Sequence, residues 1–169
     1  MHRHTHILFT ALAALLLLTA CGKNTIAREE HLLAGDQWNR FTPEHFDIAV
    51  GNIENYYNID LTATIDTSRF RYSELPVMLI LKSPGGEERQ FYGAIVLKGK
   101  SAEEGHPVRW RGEMVDGYRV ATGRIRSYFS FNQKGLHSLD VSQATSQYDL
   151  EGVHSITLTV SKAKVDYDF

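Results

Sequence analysis

The chain has 169 residues and a formal net charge of −2, because 18 Lys and Arg face 20 Asp and Glu. This length suits one domain with a sizeable hydrophobic core and is too short for two domains of ordinary size. A chain so close to neutrality lacks the basic character of most nucleic-acid-binding proteins, so we expect no nucleic-acid partner.

The N-terminus has the layout of a bacterial lipoprotein signal peptide. Residues 1–6 are polar and include Arg3, and residues 7–18 form an unbroken run of apolar or small side chains. This run is shorter than the stretch of about 20 apolar residues that a membrane-spanning helix needs. It has the length of a signal-peptide core. The run leads into a lipobox, which consists of Leu18, Thr19, Ala20 and Cys21, and Cys21 is the only cysteine in the chain.

We therefore predict that residues 1–20 are a cleaved signal peptide, with Leu18, Thr19 and Ala20 forming the cleavage site. Cys21 is predicted to carry a diacylglycerol on its sulfur and a further acyl chain, such as palmitate, on its amino group. These covalent lipids are the only non-protein groups that we expect, with no cofactor and no metal. The alternative is an ordinary secretory signal in which Cys21 has no role.

The residue after the lipobox bears on localisation. An aspartate at that position retains many lipoproteins in an inner membrane, and this chain has Gly22 there. We therefore expect the protein to be anchored to the outer membrane. The acidic residues that follow lie too far on to decide between its periplasmic and its surface face.

Residues 21–36 begin with a polar segment and are predicted to be the lipidated N-terminus and a flexible tether, followed by a single domain over residues 37–169. Within the domain, apolar and polar residues alternate as they do in half-buried strands. The segments with this pattern are residues 46–50, 57–65, 125–131, 137–141 and 156–160, and residues 90–97 are predicted to return as a strand after a turn at residues 83–86. Residues 75–81 form a continuous apolar run, which is typical of a strand covered on both faces, and residues 143–148 are predicted to form one turn of helix.

About seven or eight short strands separated by Gly and Pro predict an all-β fold. The expected architecture is an antiparallel β-sandwich of the jelly-roll or immunoglobulin-like type, and a closed barrel is the alternative. Once Cys21 is lipidated, the domain has no thiol left for a disulfide. Its stability must then come from the packing of its core.

Three stretches of the chain resemble the gliding-motility lipoprotein family known as GldH. They are EEHLLAGDQWNRFTPEHFDIAV, RFRYSELPVMLILKSPGGE, and the tract from RWRGEMVDGYR through GLHSLDVSQAT to LEGVHSITLTV. The resemblance lies in turns and strand patterns and brings no catalytic residue with it. It implies a non-enzymatic accessory component of a gliding-motility or type IX secretion assembly. The implied partners are the membrane, through the lipid, and other envelope proteins.

Arginines two residues apart are the candidate binding residues of the domain, since side chains with this spacing project from one face of a strand. The three pairs are Arg69/Arg71, Arg109/Arg111 and Arg124/Arg126. If they adjoin, Arg109, Arg111, Arg124 and Arg126 form a patch for an anionic partner such as a phosphorylated lipid or an acidic protein surface. The alternative is a solvated sheet face that keeps the protein soluble.

Other residue types give no pattern for catalysis. The histidines of the domain lack metal-ligand spacing, and they are His31, His45, His106, His137 and His154. Adjacent acids such as Glu87/Glu88 and Glu103/Glu104 point apart on an extended chain. We therefore predict no enzyme, no metal and no small-molecule substrate. The alternative function is a lectin-like, glycan-binding lipoprotein whose sugar-stacking platform would consist of Trp38, Trp110, Tyr56, Tyr57 and Tyr92.

Overall fold

The structure is a computed structural model that describes residues 24–99 and 110–164. Across these residues it contains eleven strands and one short 3-10 turn at Ala34–Asp36. The strands are β1 (Thr25–Leu32), β2 (Gln37–Asn39), β3 (Glu44–Val50), β4 (Tyr57–Ile65), β5 (Glu74–Lys82), β6 (Glu88–Val96), β7 (Glu113–Val115), β8 (Tyr118–Phe129), β9 (Gly135–Gln143), β10 (Asp149–Glu151) and β11 (Val153–Lys162). In the part of the chain so described, no helix is long and apolar enough to cross a membrane.

Two large antiparallel sheets form the domain. One sheet has the strand order β1-β11-β4-β8-β7, the other has the order β3-β9-β5-β6, and a small third sheet pairs β10 with β2. The two large sheets are not closed into a barrel. The predicted all-β fold with an antiparallel sandwich is therefore confirmed.

The strand pairs are nested along the chain, which identifies the type of sandwich. The outermost pair is β1 with β11, followed by β3 with β9, β4 with β8, and innermost the β5–β6 hairpin. Eight strands folded back on themselves in this way, across two four-stranded sheets, make a jelly roll. Of the two predicted types, the jelly roll is the one adopted, and β7 adds a short fifth strand to one sheet.

The core lies between the sheets and is built by alternation along the strands. In β4 every second side chain from Tyr57 to Ile65 is buried, as the sequence pattern predicts. The apolar run of β5 differs from its prediction. Val77 and Leu79 are buried, but Met78 and Ile80 are only half-buried, so one face of this strand is covered and the other is not.

The predicted flexible tether is wrong for residues 25–32, because these residues form β1 at an edge of the larger sheet. Backbone pairing with β11 holds the strand in place, and Arg28 lies opposite Thr159 in the register. Ile26 and Ala27 pack against the core, while Glu29 and Glu30 are exposed. An edge strand secured through its backbone needs few apolar side chains, so its polar sequence resembled a linker. The domain begins at Thr25 rather than at residue 37.

The predicted turn of helix over residues 143–148 is also wrong, since Gln143 ends β9 and the following residues form a loop. The side chain of Gln143 organises this loop. Its Oε1 accepts hydrogen bonds from the backbone N–H and the hydroxyl of Thr145, at 2.8 and 2.7 Å, and its Nε2 donates to the carbonyl of Gln147 at 2.8 Å. The buried amide thus satisfies backbone groups that a helix would have paired internally.

A tight hairpin between β7 and β8 was missed at the sequence level, where the strand was placed only from Ile125 onward. The two turn residues, Asp116 and Gly117, both have positive φ, at 49° and 86°. This is the conformation of a two-residue type I′ turn, for which Asp-Gly is one of the strongest sequence signals. The dipeptide was therefore enough to predict the hairpin.

Glycines allow β6 and β8 to cross closely at one corner of the sandwich. A Cβ added at Gly123 would lie 2.9 Å from the carbonyl oxygen of Ala94 and 3.0 Å from the Cα of Ile95. A Cβ added at Gly93 would lie 2.8 Å from the side chain of Ile125. The contacts at Gly123 are with backbone, so they cannot be relieved by a side-chain rotation.

We expect Gly123→Ala to lower the free energy of unfolding by about 1–3 kcal/mol, the usual cost of overpacking a tight contact. The measurement is denaturant unfolding followed by circular dichroism. Gly51→Ala is the matched control, because a Cβ at Gly51 meets nothing within 4 Å. Equal stability of the two variants would show that the crossing of β6 and β8 can relax without cost.

Candidate functional site

Two of the predicted arginines come together in an open groove beside the crossing of β6 and β8. The groove is open to solvent and has a volume of about 370 Å³. We call it the arginine groove, and its lining consists of Ala94, Val96, Arg111, Gly112, Ala121, Thr122, Gly123 and Arg124. Arg109, the partner of Arg111 in its pair, lies outside the described residues.

Arg124 is already engaged by a carboxylate of the same sheet. Its Nε and Nη2 donate to the two oxygens of Asp60 on β4, at 2.8 and 3.1 Å. This bidentate hydrogen bond raises the pKa of Arg124 above its ordinary value, against the opposing effect of burial. The side chain of Asp60 is only 15% exposed, so the pair is partly shielded from water. Arg124 therefore contributes shape and hydrogen-bonding capacity to the groove more than free positive charge.

Arg126 does not join Arg124 on one face, contrary to the prediction from their spacing. The register of β4 with β8 is irregular here, with Asp60 opposite Arg124 and the adjacent Ile59 opposite Arg126. One extra residue of β8 is thus accommodated in a β-bulge, which redirects the side chains that follow. The guanidinium of Arg126 lies over the ring of Phe91, 4.7 Å from its centroid, and donates to the carbonyl of Tyr92.

Arg111 is the exposed cation of the arginine groove. Its backbone N–H donates to the carbonyl of Leu97 at 2.7 Å, which fixes the chain where it returns to the sheet. The next residue, Gly112, has φ +76°, and a Cβ there would lie 1.9 Å from the carbonyl oxygen of Val120. The segment is therefore held tightly against β8. Within residues 24–99 and 110–164, the side chain of Arg111 has no ion-pair partner.

Arg69 and Arg71 belong to a different surface, next to the small sheet. They line a second groove together with the acidic residues Asp149 and Glu151. Arg69 donates to the carbonyl of Gly35 at 3.2 Å and lies 3.8 Å from a carboxylate oxygen of Asp36. The surroundings of this pair are mixed in charge. The structure thus separates it from the arginine groove.

The structure describes four of the five histidines of the domain, and each contacts other residues of the sandwich. His45 contacts Asp140 and His154 contacts Asp36, each at 2.7 Å. His137 is buried, and its burial lowers its pKa despite a backbone hydrogen bond to Gly135. Among the described residues, no group of three or more His, Cys, Asp and Glu side chains could hold a metal ion. His106 lies outside these residues.

His31 connects the two sheets, a role that the sequence did not reveal. Its Nδ1 is 2.7 Å from Glu44 on β3 and its Nε2 is 3.1 Å from Glu29 on β1. The ring also stacks on Phe46, with centroids 4.3 Å apart. Burial alone would lower the pKa of His31, but the hydrogen bonds with Glu29 and Glu44 outweigh it, and the pKa is raised. A protonated ring can donate to both carboxylates at once.

The aromatic residues proposed as a sugar-stacking platform are dispersed. Trp38 and Tyr57 are buried in the core, each 1% exposed, so neither face of these rings is open to a ligand. Trp110 is half-buried, and the ammonium of Lys98 lies 4.4 Å from its ring centroid. Tyr56 precedes β4, whereas Tyr92 lies on the outer face of β6. These five side chains do not assemble into one platform.

The acidic pairs are likewise divided among separate partners. Glu87 accepts a hydrogen bond from Asn132 at 2.5 Å, and Glu88 forms an ion pair with Lys82 at 3.0 Å. Neighbouring carboxylates that point to different partners cannot act together on one substrate bond. Glu103 and Glu104 lie outside the described residues.

Comparison with known protein families gives one match that spans the whole sandwich. A family model described as GldH lipoprotein matches residues 25–160. This interval runs from the first residue of β1 to near the end of β11. Comparison with curated proteins and with solved structures found no match.

The contact between His31 and its two carboxylates makes stability depend on pH. Because the pKa of His31 is raised in the folded protein, its contribution is fully present below the unfolded value of 6.5. That contribution is lost as pH rises through the folded pKa. We expect the stability difference between the wild type and His31→Gln to shrink as pH rises, when both are measured by denaturant unfolding. A stability difference that stays constant from below pH 6.5 to well above it would contradict the pairing of His31 with Glu29 and Glu44.

The pairing of Arg124 with Asp60 predicts an uneven double-mutant cycle. Arg124→Gln leaves the shielded carboxylate of Asp60 without its cation, and we expect a loss of about 1 kcal/mol, moderated because Arg124 is half exposed. Adding Asp60→Asn should restore part of this loss, since the uncompensated charge is removed. Thermal unfolding of the two single variants and the double variant gives the coupling directly. Strict additivity would show that the two side chains do not interact in solution.

Proposed function

This chain belongs to the GldH lipoprotein family, and we propose that it is an outer-membrane-anchored, non-enzymatic accessory protein of a gliding-motility or type IX secretion assembly. Family membership indicates a membrane-anchored protein of the cell envelope. The observation that carries the proposal is the extent of the match. It covers the complete series of nested strands rather than one shared turn or motif.

The anchor in this proposal is Cys21, four residues before the first strand. A diacylglycerol and an N-acyl chain together bury three hydrocarbon chains, at about 0.8 kcal/mol for each CH₂ group. One chain alone gives only marginal, reversible binding. The lipidated protein is therefore held at its membrane permanently, and its activity consists of presenting the sandwich to neighbours in the envelope.

The arginine groove is the surface that we propose for contact with an envelope partner. Arg111 offers an exposed guanidinium there, beside the fixed Arg124–Asp60 pair. A carboxylate of a partner protein fits this arrangement, because guanidinium groups bind carboxylates through two parallel hydrogen bonds. The groove is wide and open, which suits a protruding acidic side chain.

Proximity labelling in the native cells tests both parts of the proposal. The wild type is expected to label components of the motility or secretion machinery, whereas Cys21→Ser should lose most of them because it is not retained at the membrane. Motility and secretion assays on a deletion strain then measure the accessory role. A deletion strain that glides and secretes normally would contradict that role.

Arg111→Glu reverses the charge of the groove without touching the Arg124–Asp60 pair. We expect it to reduce the labelled neighbours severalfold while the protein stays in the membrane fraction. Arg71→Glu is the matched control, since it makes the same charge change on the separate surface beside the small sheet. Equal labelling by the two variants would contradict the arginine groove as the contact surface, and it would not affect the proposed anchor at Cys21.

A further inference from the structure

The first strand begins very close to the predicted lipid. Thr25 lies four residues after Cys21, and an extended chain spans at most about 3.6 Å for each residue, or roughly 14 Å in total. The inference below rests on the proposed function, because it takes Cys21 as the lipidated residue. If it is lipidated, the end of the sandwich at which β1 starts must stay near the membrane surface.

Backbone contacts show which other segments share that end. Asn24 accepts a hydrogen bond from the N–H of Lys162 at 2.7 Å, and Tyr56 accepts one from Ala163 at 2.8 Å. Tyr57, the first residue of β4, lies opposite Phe129, the last residue of β8. The end of β11, the loop before β4 and the loop after β8 therefore lie together with the start of β1.

The β5–β6 turn completes this end of the domain. Its Gly85 N–H donates to the side chain of Gln133 at 2.9 Å, which ties the turn to the loop after β8. We call the surface formed by residues 51–56, 83–87, 128–136 and 162–164 the anchored end. The opposite end is separated from it by strands of nine residues such as β4, or about 30 Å at 3.3 Å for each residue.

Apolar side chains are exposed on the anchored end. Ile53 is 38% exposed, Tyr56 is 47%, Tyr128 is 57% and Leu136 is 59%. Tyr128 also has φ 52°, a conformation that is costly for a bulky residue and that persists only where the surrounding structure imposes it. Tyr128 thus combines a strained backbone with a side chain exposed on the anchored end.

Cations outnumber carboxylates at the anchored end. Lys134, Lys162 and Lys164 are exposed there, against the exposed Glu54 and Glu87, and Glu87 is paired with Arg89 at 3.4 Å. Tyrosines are enriched at the level of the lipid headgroups, and lysines are attracted to an anionic leaflet. The surface thus combines the two residue types that suit a membrane interface.

We propose that the anchored end rests on the membrane, with its tyrosines and apolar side chains among anionic phospholipid headgroups and its three lysines paired with the phosphates. The lipid on Cys21 and this protein surface then act as two linked attachments. The sandwich stands upright, and its opposite end is presented to partners away from the bilayer.

Fluorescence quenching in vesicles tests this orientation with the full, lipidated protein. Cys21 is the only cysteine and its sulfur carries the lipid, so one introduced cysteine gives a unique label. Ser130→Cys places an environment-sensitive fluorophore on the anchored end, and Ser146→Cys, which is also exposed, places it at the opposite end. The vesicles contain phosphatidylethanolamine and phosphatidylglycerol with lipids that are spin-labelled near the headgroup.

We expect the label at residue 130 to be blue-shifted and quenched severalfold more strongly than the label at residue 146. Vesicles of phosphatidylcholine should reduce the difference, because they lack anionic headgroups. Equal quenching of both labels in protein that floats with the vesicles would overturn the orientation while leaving the anchor intact. A label at residue 130 that is shielded from iodide but unquenched by lipid would overturn it in favour of a protein contact, such as a second copy.

Vesicle flotation separates this inference from the function on which it rests. Protein that is not modified at Cys21 and does not float would contradict the lipid anchor, and the inferred orientation would fall with it. Replacing Lys134, Lys162 and Lys164 by Glu in the lipidated protein should leave flotation unchanged and lower the quenching of the label at residue 130. Unchanged quenching in this variant would overturn the role of the lysines.

Discussion

The pairing of the first strand with the last is the contact on which the arrangement depends. β1 lies at a sheet edge and is held along its length by β11, which is itself paired with the central strand β4. None of its side chains is fully buried, so backbone hydrogen bonds provide most of its attachment. If Cys21 carries the proposed lipid, a pull on the anchor is transmitted through this pairing to the centre of the sheet.

The sequence predicted those parts of the fold that depend on local alternation and failed where long-range pairing decides. β4 was evident because one of its faces is buried along its whole length. β1 was not, since an edge strand with exposed Glu29 and Glu30 has the composition of a linker. The choice between jelly roll and immunoglobulin-like sandwich depends on which distant strands pair, and no local pattern contains that information.

The candidate site shows a similar limit at the scale of single residues. Spacing by two predicted that Arg124 and Arg126 act together, yet one extra residue in β8 separates them and leaves Arg126 over Phe91. A β-bulge has no reliable signal in a single sequence. The prediction of a patch assumed that Arg111 and Arg124 adjoin. Their spacing in the sequence does not require this, because their proximity arises from the return of the chain beside β8.

The nested strand pairs also set an order for folding. The β5–β6 hairpin joins residues close in sequence, whereas β1 and β11 are separated by almost the whole domain. Contacts between distant residues form slowly, because a long loop must close first. A chain that crosses a membrane N-terminus first delivers β1 well before β11 exists on the far side. If the chain is exported and lipidated at Cys21 as proposed, β1 must remain unpaired until β11 has also crossed.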